Sequence, residues 1–210
     1  MKDRNRNAAN LDLLGGRLCL DFVNTIDWRG RAEPREFLNS YQDLISWARH
    51  VGILSKQNAE LMTRKAEKRS SDAIAAVEKA KGIREALYRI FIAKTKGVSA
   101  KKADLVLFNK VLSRTMAQSR IVEAGDVYVW STGGREDALD GIINPIVRSA
   151  ADLLLSSDLK RVKSCADAEC GWLFFDSSRN RSRRWCDMSD CGNRAKASRF
   201  YLRKKKDARA

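Results

Sequence analysis

Four cysteines in the last quarter of the chain stand in two close pairs. Four residues separate Cys165 from Cys170, four separate Cys186 from Cys191, and fifteen lie between the pairs. Two pairs of cysteines joined by a linker are typical of a tetrahedral zinc site, in which each pair supplies two thiolates. Four protein ligands leave no open coordination position, so we expect one structural Zn²⁺. The alternatives are four thiols without a metal and a disulfide pair, although paired cysteines in a cytosolic protein favour metal.

The residues around the cysteines predict a small β-hairpin followed by a helix. The apolar run 172–175 favours a strand, 176–180 a turn, and the arginine-rich run 181–185 the returning strand. Residues 192–206, after the last cysteine, have helical character. Together these elements predict a treble-clef-like module. A module this small and polar buries little apolar surface, so metal binding would supply the missing stability.

The charge of the chain points to a polyanionic partner. Its net charge is +15, and residues 160–210 contribute 15 Lys/Arg against six Asp/Glu. Such an excess is typical of nucleic-acid binding, with a solvated charged surface as the alternative. Cationic side chains contact phosphates, and Arg and Asn read base edges. The candidates for nucleic-acid contact are Arg179, Arg181, Arg183, Arg184, Asn193, Arg194, Lys196, Arg199, Arg203, Lys204 and Lys205.

Two of these candidates have local alternatives. Asn193 follows a cysteine knuckle at the expected start of a helix, where Asn often caps or stabilises a tight turn. Arg194 could hydrogen-bond the carbonyls or thiolates of the knuckle and so support the metal ligands from behind.

Residues 1–159 predict a mostly α-helical domain with a small antiparallel β element. Apolar residues at helical spacing favour helices over 34–54, with Pro34 in the first turn, and over 70–97, 99–115 and 141–157. Ser55 is a suitable N-cap for a further helix. The run 17–28 is apolar and rich in strand formers, and 119–134 resembles a hairpin. We expect a boundary near residue 160, which leaves 160–210 as the zinc module.

Other residues in the helical domain give weaker signals. Asp21, Asn24 and Asp27 could line a ligand pocket or satisfy turn backbone. His50 has no second histidine with which to form a metal site, and Cys19 lies in an apolar run typical of a core thiol. No nucleophile–base pair or phosphate loop is evident, so we expect no enzyme activity.

The sequence also indicates where the protein resides. No apolar stretch approaches the roughly 20 residues of a membrane span. Residues 1–22 contain no unbroken apolar segment of a signal peptide. We therefore expect a cytoplasmic protein without membrane contact.

Two motifs resemble a known family. The run CGNRAK (191–196), together with WLFFD and RRWC before it, resembles the CGNR zinc finger, and GGRLCLDFVNT (15–25) is similar to the opening of the ABATE domain that usually precedes that finger. Members are bacterial proteins proposed as stress-induced transcription regulators. The resemblance implies binding of double-stranded DNA and a helical domain that senses a small-molecule effector or dimerises.

Two other functions stay open from sequence alone. One is a small-molecule-binding protein in which the zinc module is only structural. The other is an RNA- or ribosome-associated basic protein, in which exposed aromatic residues would stack on bases. The candidates for stacking are Trp172, Phe174, Phe175 and Tyr201.

Overall fold

The computed structural model describes residues 5–132 and 138–207, and only the backbone of 132, 202, 203 and 205–207. The fold is mostly α-helical with small antiparallel sheets, as the sequence predicts. The helices are α1 (Leu18–Val23), α2 (Tyr41–His50), α3 (Lys56–Lys68), α4 (Ser70–Thr95), α5 (Lys102–Gln118), α6 (Asn144–Leu155) and α7 (Asn193–Asp207). The strands pair as β1 (Ile26–Asp27) with β2 (Arg35–Glu36), β3 (Ser119–Ala124) with β4 (Val127–Thr132), and β5 (Val162–Ser164) with β6 (Leu173–Phe175).

Local capping sets the bounds of several helices. Helix α2 begins only at Tyr41, because Ser40 and Asp43 form a reciprocal capping box. The prediction that Pro34 starts this helix is therefore wrong, and residues 35–36 form β2 instead. Gly52 follows the end of the helix and adopts a positive φ of 77°, a conformation that suits glycine and stops a helix. Ser55 caps α3 as expected, its hydroxyl accepting from the Asn58 amide.

The apolar run 17–28 is mainly a helix, not a strand. Residues 18–23 form α1, a short helix with Cys19, Leu20 and Phe22 fully buried. A short segment in which all residues but one are apolar cannot be assigned to helix or strand by periodicity, and its β-branched and aromatic residues favoured the wrong choice. The predicted hairpin is confirmed as β3 and β4, with Ile121 opposite Trp130.

The long helices enclose one core that also takes in part of the C-terminal module. Helix α4 contributes Ile83, Leu87 and Phe91, and α6 contributes Ile146 and Val147. The same buried cluster includes residues 172–175, which lie between the two cysteine pairs. Burying an aromatic or aliphatic side chain contributes about 1.5–3 kcal/mol, so this short run stabilises the attachment of the module substantially.

The prediction of a hairpin inside the module is correct for its first strand and wrong for its second. Strand β6 forms over 173–175, but its partner is β5, which precedes the first cysteine, with Val162 opposite Phe175. Residues 181–185 form no strand. Their arginines do not pack into the core, and β5 already supplies the hydrogen-bonding edge that β6 needs.

The side chain of Asn24 connects the helical part to β6 through two hydrogen bonds. The Asn24 Nδ2 donates to the Leu173 carbonyl at 2.8 Å, and its Oδ1 accepts from the Leu173 amide at 2.9 Å. Both residues are buried. The Asn24 side chain thus satisfies the two backbone groups of Leu173 that β5 does not pair with.

Within the described residues, no helix is both long and apolar enough to cross a membrane.

Replacing Asn24 by Ala should destabilise the protein strongly. The substitution leaves the amide and carbonyl of Leu173 buried without partners, which costs about 2–4 kcal/mol. Urea unfolding followed by circular dichroism measures the change. The exposed Asn58, substituted by Ala, is the matched control and should change the free energy of unfolding by less than about 0.5 kcal/mol. Equal effects of the two substitutions would contradict a tether at Asn24.

Candidate metal centre and nucleic-acid surface

The four paired cysteines converge on one point. All four are buried, and their sulfur atoms all lie within 4.8 Å of one another. The Cys186 Sγ is 3.6 Å from the Sγ atoms of both Cys170 and Cys191. Four sulfurs placed roughly 2.3 Å from a central ion in a tetrahedron lie about 3.8 Å apart, so the cluster fits zinc. The cysteines are positioned to bind one metal ion, as the spacing predicts.

Backbone hydrogen bonds shape the knuckles that present these sulfurs. The Cys165 amide donates to the Trp172 carbonyl at 2.8 Å, and the Ala166 amide donates to the Arg184 carbonyl at 2.8 Å. Gly171 turns the chain after Cys170 with a φ of 71°. The first bond ties the first knuckle to the buried run 172–175, and the second ties it to the residues just before the second knuckle. These backbone contacts therefore place the first knuckle against the residues that lead into the second.

Arg194 of the CGNR run lies behind the metal ligands. Its guanidinium forms ion pairs with Asp167 at 2.6 Å and Asp190 at 2.9 Å, and it lies 3.0 Å from the Cys191 Sγ. Burial alone would lower the pKa of Arg194, but the hydrogen bond to Asp167 and the Cys191 charge together raise it above its usual value. A cation beside a thiolate stabilises the charged, metal-binding form of the ligand.

The same arginine contacts the helical part of the chain. The Arg194 guanidinium lies 4.5 Å from the centre of the Trp28 ring, and Arg31 lies 3.6 Å from the same ring. Trp28 holds a positive φ of 58°. Two residues later, Gly30 lies so close to the first knuckle that a Cβ added at this position would be 1.9 Å from the Ala168 carbonyl oxygen. Sequence reasoning did not find the role of Trp28, because no spacing signal connects it to the finger.

A buried carboxylate organises the linker between the pairs. Asp176 accepts from Lys163 Nζ at 2.7 Å, from the Ser178 hydroxyl at 2.6 Å and from the Arg183 amide at 3.1 Å. Burial alone would raise the pKa of Asp176, but the hydrogen bonds from Lys163 and Ser178 hold it well below its usual value. The linker after β6 therefore folds around one charged centre instead of pairing as a strand.

The Arg183 side chain also contacts other residues of the module. Its guanidinium donates to the Trp185 and Cys186 carbonyls and lies 4.4 Å from the centre of the Phe174 ring. The assignments of Arg183 and Arg194 to nucleic-acid contact stay predictions, but both side chains already have partners inside the protein.

Most of the other basic candidates are exposed. Arg179, Arg181 and Arg184 are exposed in the linker, and no ion pair among the described residues includes them. Asn193, Lys196, Arg199 and Lys204 are exposed on α7. Asn193 donates to the Ser189 carbonyl at 2.9 Å, which supports a local role for its amide nitrogen. The side chains of Arg203 and Lys205 lie outside the described part of the chain.

The three polar residues of the N-terminal part are buried and have partners. Besides the tether made by Asn24, the Asp21 Oδ1 accepts from the Gly15 amide at 2.7 Å, and Asp27 pairs with Arg6. Burial raises the pKa of Asp21 to about 6, although the hydrogen bond from Gly15 opposes the shift. These contacts favour the turn-stabilising alternative over a ligand pocket at this position.

Replacing Cys186 by Ser should abolish metal binding. A hydroxyl is a far weaker zinc ligand than a thiolate, and three cysteines leave the site open. The zinc content of the purified protein, measured by elemental analysis, should fall from one zinc per chain to none. Cys19 is the matched control, because it is buried outside the cluster and burial raises its pKa to about 12. A Cys19→Ala protein should keep its zinc, and retention of zinc by the Cys186 variant would contradict the four-cysteine site.

Comparison with known proteins agrees with this arrangement. A family model named ABATE, described as "Putative stress-induced transcription regulator", matches residues 16–157. A second family model, the CGNR zinc finger, matches residues 161–204 and so spans all four cysteines. No curated protein matches the chain. Because the first match covers more than half of the chain and the second follows it directly, the protein belongs to the ABATE family and carries a CGNR zinc finger.

Proposed function

We propose that the protein is a cytoplasmic, non-enzymatic transcription regulator that binds double-stranded DNA through its zinc finger. The observation that carries this proposal is the exposed basic surface of the finger. It combines the linker arginines 179, 181 and 184 with the outer side of α7. The metal would hold these two parts together, because the linker lies between the cysteine pairs and α7 begins two residues after the last cysteine.

Helix α7 has the features of a helix that binds another surface. None of its described side chains is buried, so it has no face packed into the core. Asn193, Lys196 and Arg199 follow one another at three-residue spacing and therefore lie along one side. A helix with no buried side chain gains little from tertiary packing. Insertion into the major groove would pair this side with phosphates and base edges.

The burial of aromatic residues weighs against the RNA alternative. Trp172, Phe174 and Phe175 are buried in the core and cannot stack on bases. Tyr201 is exposed, beside Phe200, and the two rings pack edge to face with centres 5.8 Å apart. Of the four candidates for stacking, only Tyr201 is therefore accessible to bases, whereas the exposed arginines and lysines of the finger are available to duplex phosphates.

Substituting Arg179, Arg181 and Arg184 together by Gln should weaken DNA binding and its dependence on salt. Each lost phosphate contact lowers the slope of log affinity against log salt by roughly 0.9. The affinity for a duplex selected from genomic fragments, measured by fluorescence anisotropy at several salt concentrations, gives both quantities. We expect a slope reduced by about 2–3 and a loss of affinity on the order of tenfold or more at physiological salt.

The control removes the same charge from another surface. Lys56, Arg64 and Lys68 are exposed on α3, and their joint substitution by Gln also removes three positive charges. This control should change the slope by less than one. If both triple variants lose affinity equally, binding depends on net charge alone and the finger surface is not the interface.

We further propose that two copies bind together through the β3–β4 hairpin. Ile121, Tyr128 and Trp130 share one face of this hairpin, Val122 and Val129 share the other, and all five are exposed. A two-stranded hairpin is marginal in water without a further strand or packing partner. The hairpin carries one basic and two acidic residues in a chain of net charge +15, so it is a surface where two copies approach with little repulsion.

Introducing Lys at both Ile121 and Tyr128 should convert a dimer into a monomer. The new charges would be buried between the two hairpins, which is costly without counter-charges. Sedimentation velocity measures the change in mass. Ile74 and Leu155 are exposed apolar residues elsewhere on the surface, and replacing both by Lys should leave the dimer intact. A wild-type protein that sediments as a monomer at high micromolar concentration would contradict this part of the proposal.

A further inference from the structure

The helical part has an open cavity whose lining residues are remote in sequence from the finger. Its volume is about 410 Å³, within the usual range for small-molecule sites. The turn between α2 and α3, the first turns of α3 and α6, and strand β4 surround it. The apolar side chains that line it include Ile53, Leu54, Leu61, Met62, Ile142 and Trp130.

A few polar groups reach the same cavity. Arg148 lines it from α6, together with Asn144 from the start of that helix and Gln118 from the end of α5. The buried Asn144 accepts from Thr115 through its Oδ1 at 3.0 Å, so the position of its amide is fixed. Asn58 and Ser131 also line the cavity, so its wall combines apolar side chains with placed polar groups, as a ligand site for an amphipathic molecule requires.

Arg148 is the charged side chain among the lining residues named above. Its guanidinium donates to the Ser119 hydroxyl at 3.0 Å and lies 5.2 Å from the centre of the Trp130 ring. None of the ion pairs among the described residues includes it, although Asp152 lies one turn further along α6. Burial lowers the pKa of Arg148 below its usual value. The charge of Asp152 opposes this shift, but no carboxylate of the described residues lies within ion-pair distance of the guanidinium, so a half-buried cation at the cavity wall can pair with an anion from outside.

We propose that this cavity binds a small amphipathic carboxylate, with its apolar body among Leu54, Met62 and Ile142 and its carboxylate on Arg148. The guanidinium presents two parallel N–H groups that match a carboxylate. The ring of Trp130 covers one side of the bound molecule. This site does not depend on DNA binding, since its residues lie outside the finger and its occupancy can be measured without DNA.

Calorimetry with matched acids and amides tests the proposal on the full-length, zinc-loaded protein. Hydrocinnamate, indoleacetate and octanoate serve as probes, each against its uncharged amide. We expect at least one acid to bind at least tenfold more tightly than its amide. Arg148→Gln should remove this preference. Arg148→Lys should keep part of it, because Lys retains the positive charge but lacks the two parallel N–H donors of the guanidinium.

Two further variants separate the cavity from general effects. Leu61 is partly exposed at the cavity wall, and Leu61→Trp should fill the space and abolish binding of both acid and amide. Arg64→Gln removes an exposed charge from the same helix and should change nothing. The proposal is overturned if no acid binds the wild-type protein, if acids and amides bind equally, or if Arg148→Gln keeps the preference while its circular dichroism is unchanged.

Discussion

The convergence of four cysteine sulfurs is the constraint on which the C-terminal part of the molecule depends. Their sulfur atoms lie within 4.8 Å of one another, which closes the linker between the pairs into a loop and fixes the start of α7. Without a bound ion the thiolates would repel one another. Because few residues of the linker beyond 172–176 are buried, metal binding supplies stability that packing does not.

The second constraint is the attachment of this module to the helical part. The run 172–175 is buried in the common core, and Asn24 hydrogen-bonds both backbone groups of Leu173. Trp28 packs against Arg194, which in turn contacts the Cys191 sulfur. A change in the helical part therefore has a physical route to the metal ligands. The division of the chain near residue 160 stays a prediction, and these contacts show how closely the two parts are joined.

The sequence predicted what depends on regular spacing. The four ligands, the long helices α4 and α5 and the hairpin β3–β4 follow from periodic patterns, and the structure confirms them. The predictions from sequence were wrong where the secondary structure of a segment depends on residues that are distant in the chain. Helix α1 resembled a strand because all of its residues but Asp21 are apolar, and 181–185 resembled a strand whose place β5 takes. The contacts of Arg194 with Trp28 and Asp167 carry no local signal at all.

The most direct test of the account is zinc content and DNA selection on the same sample. Elemental analysis counts zinc per chain, and genomic fragments are selected at one fixed salt concentration, with and without a chelator. We expect one zinc per chain and enrichment of a shared duplex motif that disappears with the chelator and returns when zinc is restored. One zinc per chain with no shared motif, and binding that responds only to salt, would contradict a zinc-dependent regulator and leave a structural finger on a non-specific polyanion-binding protein.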